Sequence, residues 1–62
     1  GLTNDQQQVY ELLSDVRPIA IGELVDKVDF SRTKLGAILK ELVETGAVKA
    51  NGVGRGVRYQ RQ

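Results

Sequence analysis

The chain has 62 residues, 40% of them apolar and 27% charged, with a formal net charge of +1; this size supports one core and one domain over 1–62. It holds no cysteine and no histidine, which excludes disulfides, thiol chemistry, Cys/His zinc sites and every triad built on imidazole. No apolar run nears the roughly 20 residues of a membrane span and no signal peptide is evident, so no membrane partner is expected and the setting reads as intracellular, cytoplasmic (nucleoid) or nuclear.

A chain of about 60 residues buries only roughly 60% of its unfolded surface, so packing alone must hold it together. The small size also raises the expectation of a domain excised from a longer protein.

In chain order, Thr3 and Gln6 have the spacing of a reciprocal helix cap. Val9, Leu12, Leu13 and Val16 follow at i, i+3, i+4, i+7, with Tyr10 at the stripe's edge. The spacing predicts a helix from Thr3 to about Val16, where Pro18 pushes Arg17 out of the helical region. Ile19-Ala20-Ile21 reads as a short extended piece. A second stripe, Ile21, Leu24, Val25 and Val28, predicts a two-turn helix over 22–28.

Asp29-Phe30 then turns the chain and Ser31 is suited to cap the next helix. Leu35, Ile38, Leu39, Leu42 and Val43 form its apolar stripe, and Gly46 can take the left-handed conformation that ends it, so the third helix is predicted over 32–45. Beyond it, residues 47–50 and 57–60 alternate apolar with polar, as half-buried antiparallel strands do. Asn51-Gly52 could close a two-residue turn, but that register would put Gly54 and Gly56 inside a strand; a longer loop is preferred.

Charge is divided between the halves. Residues 1–31 carry two cations against six carboxylates, a net −4, and residues 32–62 carry seven against two, a net +5. The basic half holds Arg32, Lys34, Lys40, Lys49, Arg55, Arg58 and Arg61. Cations gathered on one part of a small domain attract a polyanion.

The segment IGELVDKVDFSRTKLGAILKELVETGAV at 21–48 and the glycine-rich GVGRGVRY at 52–59 resemble the winged helix-turn-helix family. The resemblance covers nearly the whole chain. It implies an α+β, mainly α, fold of three helices with a C-terminal β-hairpin wing, and double-stranded DNA as the partner. In that family the second helix of the motif enters the major groove, which here is the third helix.

At 100° per residue its apolar stripe leaves Thr33, Ala37, Lys40 and Glu44 on the opposite side, with Lys34 and Glu41 on one edge and Gly36 on the other. Ser31, Thr33, Arg32 and Lys34 would meet phosphates near the helix N-terminus, and Lys40 would add a further contact. Lys40 and Glu44 also suit a simple surface pair. Gly36 carries a helix penalty of about 1 kcal/mol; close approach of a phosphate, a base edge or a neighbouring helix would explain it.

Arg55 among three glycines suits insertion into a minor groove, with Arg58 and Arg61 along the flanking phosphates and Lys49 on the same ribbon. Val53 would pack on the sheet end, touch a deoxyribose or mark a partner surface. The third helix lacks the Asn, Gln or extra Arg of bidentate base readout, so an A·T or shape-based preference is expected. A single small domain should bind weakly unless tethered or dimerised through other parts of a parent chain.

Gly52-Val53-Gly54-Arg55-Gly56 is no dinucleotide fingerprint, since the third glycine would fall at Val57. No catalytic residue, metal site or cofactor is expected, and an enzyme is not. The competing class is a winged-helix module for protein interaction or oligomerisation. RNA is a weaker third choice for want of an exposed aromatic platform.

Overall fold

Thr3 Oγ1 accepts from Gln6 N at 3.1 Å while Thr3 N donates to Gln6 Oε1 at 3.0 Å, so both sides of the predicted cap form. In this computed structural model the helix they open, α1, runs Asn4–Leu12. All residues are described except Val53, and Arg55 is described in its backbone only. The expected hairpin-loop contact of Val53 lies outside the described residues.

Helix α1 ends a turn earlier than its apolar spacing predicts. Leu13 turns extended at ψ 161, and the Ser14 hydroxyl accepts from Val16 N at 3.0 Å and Arg17 N at 3.2 Å. A serine that satisfies backbone N–H groups locally competes with continued helix. Val9 and Leu13 are buried as expected, but Val16 is 85% exposed; its assignment to the core stripe is corrected.

The extended piece Ile19–Ala20 is a strand, β1, and Ile21 already begins α2 (Ile21–Leu24), which tightens into a 3-10 turn over Val25–Lys27. The two-turn helix expected over 22–28 is therefore one α turn followed by a narrower one. Only Leu24 of its stripe is fully enclosed, while Ile21, Val25 and Val28 pack at the core's margin.

Helix α3 spans Arg32–Thr45, the predicted bounds. Ser31 Oγ accepts from Lys34 N at 3.1 Å. At the far end Gly46 takes φ +87, and Ala47 N donates to Leu42 O at 3.1 Å. That 6→1 bond closes the helix through a left-handed residue.

Strands β2 (Val48–Asn51) and β3 (Arg58–Arg61) lie one residue later than the alternation predicts. They are antiparallel, with Asn51 opposite Arg58, so a loop longer than two residues joins them, as expected; it includes a 3-10 turn at Gly54–Gly56. The short β1 also pairs antiparallel with β3, giving a three-stranded sheet in the order β1-β3-β2. Sheet membership of residues 19–20 depends on a partner about forty positions away, which local periodicity does not reveal.

The fold is thus α+β, mainly α: three helices on a small antiparallel sheet. Val9, Leu13, Ile19, Leu24, Leu35, Ile38, Leu39, Leu42 and Val48 form one core drawn from every helix and two strands. Among the described residues no helix is long and apolar enough to cross a membrane.

Candidate nucleic-acid interface

The core fixes how α3 sits. Leu35, Ile38, Leu39 and Leu42 are buried on one side, and Thr33, Ala37, Lys40 and Glu44 are on the other, where all four are exposed. Three turns of small and polar surface are held outward by the apolar grip beneath. Arg32 and Lys40 are exposed and have no carboxylate partner among the described residues. Lys40 and Glu44 form no ion pair there, so both side chains stand in solvent.

The edge formed by Lys34 and Glu41 turns toward α1. Lys34 Nζ lies 2.9 Å from Asp5 Oδ2 and 5.3 Å from the centre of the Phe30 ring. Glu41 Oε1 accepts from Gln6 Nε2 at 3.0 Å. Lys34 therefore has a partner within the fold, away from the Thr33–Lys40 face. Ser31 has its hydroxyl engaged as the cap, with its outer side still exposed.

Gly36 backs onto α2. A Cβ at this position would meet Ile21 Cδ1 at 3.9 Å, ordinary van der Waals contact. Of the three explanations for a mid-helix glycine, the neighbouring helix is the one it faces, and the contact is loose enough to admit a methyl group.

The hairpin divides its cations. Tyr59 packs against the core, so by period-2 alternation Arg61 shares its inward side while Arg58 and Gln60 leave the other. Cross-strand pairing of Lys49 with Gln60 and Asn51 with Arg58 puts Lys49 on that outer face. Arg61 instead lies over the Tyr10 ring at 5.3 Å, with its Nε buried and without a hydrogen-bond partner. Arg58 and Arg61, expected together along phosphates, thus take different sides of β3, and Arg61 links β3 to α1. Its backbone N–H adds a bond to Ser14 O at 3.0 Å. The side chain of Arg55, the expected groove residue, lies outside the described residues.

One polar cluster was missed by sequence reasoning. Glu23 Oε2 accepts from Ala20 N at 3.1 Å, capping α2 from its third residue. Its two oxygens also face Arg17 Nη2 at 3.3 Å and Arg58 Nη1 at 3.7 Å. The Ala20 N–H holds the Glu23 carboxyl below its ordinary value, slight desolvation opposes this, and the two guanidiniums add to the lowering. With alanine at the N-cap, the Ser/Thr-x-x-Glu signature that would signal such a cap is incomplete. Arg58 joins only because β1 pairs with β3.

The arrangement offers a helix face with small residues and unpaired cations and, on the hairpin that follows Gly46, an outer side with Lys49 and Arg58. Such a surface can meet phosphate oxygens and admit close approach of a groove. Comparison with protein families, with curated proteins and with solved structures finds no match.

Proposed function

We propose that the chain is a winged helix-turn-helix domain that binds double-stranded DNA, serving as the DNA-binding domain of a transcriptional regulator or a nucleoid-associated protein. In this reading Thr33, Ala37 and Lys40 of α3 face the major groove. The loop 52–56 carries Arg55 to the adjacent minor groove or backbone, and the domain binds rather than catalyses.

The observation that carries the reading is the coincidence of open cations with open surface. Arg32 and Lys40 on α3 and Lys49 on β2 are exposed without carboxylate partners among the described residues. Lys34, 2.9 Å from Asp5, and Arg61, over the Tyr10 ring, are left out of that set because each has a close partner on α1, whereas Arg58 stands farther from its carboxylate, 3.7 Å from Glu23. With Arg55 and Arg58 added, about five cations are left for phosphates, and log K should fall with log salt at a slope of about −4.5. Beyond Arg32, α3 carries no Asn, Gln or further Arg for bidentate base readout, which points to A·T content or groove shape as the discriminating feature.

Titration of labelled A·T-rich and G·C-rich duplexes at increasing salt, with amide shifts mapped along the chain, tests this. Shifts concentrated at α3 and the loop 52–56, steep salt dependence and tighter A·T binding are expected. No duplex binding at low salt would overturn the reading. A salt-insensitive protein complex that survives Arg55→Ala and Lys40→Ala but fails when Ala37 is enlarged would put the interaction-module class in its place.

A further inference from the structure

The acidic first half of the chain contains one arginine, Arg17, and the fold brings it to the basic half. Pro18 and β1 follow it directly; Arg17 precedes the Ile19–Tyr59 end of the β1–β3 ladder and Arg58 pairs with Ala20 at the other end, and the two side chains converge on Glu23. Between them stands a single carboxylate. Arg17 Nη2 is 3.3 Å from one oxygen of Glu23 and Arg58 Nη1 is 3.7 Å from the other, with all three side chains well exposed to solvent.

Two features make this cluster more than a surface ion pair. It carries two positive charges against one negative, so an uncompensated charge remains after the internal pair forms. Its geometry is also that of a two-oxygen anion with one guanidinium nitrogen facing each oxygen, and carboxylates and phosphodiesters share that recognition chemistry. Exposed pairs of this kind contribute little to stability and are readily screened, so the internal carboxylate is exchangeable. The cluster is tied to the proposed DNA-binding helix through α2: Glu23 lies two residues past Ile21, whose Cδ1 a Cβ at Gly36 of α3 would meet at 3.9 Å.

We propose that Arg17 and Arg58 form a seat for one backbone phosphate of the duplex, and that Glu23 occupies this seat in the free domain until the phosphate displaces it. The inference rests on the DNA-binding reading and extends it to a residue, Arg17, outside the basic half. Glu23 then acts as a built-in competitor that lowers affinity for every sequence alike, because a phosphate contact carries no base information.

Duplex affinity and its salt slope, measured for the wild type, Arg17→Ala, Glu23→Gln and Lys40→Ala, test the proposal. Glutamine keeps an oxygen for Ala20 N–H, so the α2 cap persists; Arg17→Ala touches no cap and reads the seat independently. Melting curves confirm that each variant is folded. Arg17→Ala is expected to weaken low-salt binding by about 3–10-fold and to make the salt slope shallower by about 0.9, the value of one phosphate. Glu23→Gln is expected to tighten binding by a similar factor, equally for A·T-rich and G·C-rich duplexes, and to lose that effect when Arg17 is also alanine.

If Lys40→Ala weakens binding but either seat variant, folded, stays within twofold of the wild type, the seat is overturned while the DNA-binding reading stands. If the wild type binds no duplex at low salt, both fall together.

Discussion

Helices α1 and α3 begin from the same sequence logic and finish differently. Each starts at a hydroxyl cap, Thr3 or Ser31, and each shows a clear apolar stripe. Helix α3 ends where its pattern says, whereas α1 stops at Leu12 and leaves Val16 in solvent. The difference lies in what terminates them. Gly46 offers a left-handed conformation, and two N–H groups, its own and that of Ala47, close back on α3. After α1 only the Leu13 N–H closes back, on Tyr10 O at 3.2 Å, with Leu13 extended rather than left-handed; the Ser14 hydroxyl collects the N–H groups of Val16 and Arg17. Periodicity thus identifies the buried face of a helix, while its end is set by whichever competitor for the backbone acts first.

The sharpest way to break the comparison is to remove the face that α3 buries. Leu39 is fully enclosed, and Leu39→Ala should lower unfolding free energy by about 2–5 kcal/mol. A domain of 62 residues has roughly 3–9 kcal/mol in total, so denaturant titration should find the variant close to unfolded. A loss below about 1 kcal/mol would mean that this face is not the keystone of the core. The next largest effect concerns the termination signal. Gly46 sits at φ +87 with open space where a Cβ would project, so Gly46→Ala meets only backbone strain, about 1–2 kcal/mol. Ser14→Ala should cost less, since the two N–H groups it frees can turn to water. Equal losses at the two sites would erase the distinction drawn between the helix ends.

Legibility in the sequence follows the same line. Ser31, Gly46 and the stripe between them act within a few residues, so α3 and its outward Thr33–Lys40 face can be derived before any coordinates. The strand at Ile19–Ala20 cannot, because two residues become a strand only when β3 arrives beside them. The candidate site divides likewise. Lys40 and Lys49 stay open because no acid among the described residues reaches them, but Lys34 is answered by Asp5 from α1 and Arg61 by the ring of Tyr10. Those partners come from the acidic half of the chain. The net charge of +5 over residues 32–62 counts cations without knowing which the fold will employ internally.

Gly36 gives the smallest and most discriminating test, because it separates the cost of a residue from its use. In a helix interior glycine is about 1 kcal/mol less favourable than alanine, and such a residue commonly persists where a side chain would collide. Here a Cβ would meet Ile21 Cδ1 at 3.9 Å, which is contact without overlap, and it would point toward α2 rather than outward with Ala37. Gly36→Ala should therefore stabilise the domain by up to about 1 kcal/mol, raising Tm by about 4–8 °C per kcal/mol for a chain of this size. Duplex affinity should remain within twofold of the wild type, since the added methyl faces a neighbouring helix. If the melting temperature rises and DNA binding collapses, the glycine is kept for the approach of the duplex, and the groove-facing surface of α3 extends one residue further round the helix than its exposed stripe indicates.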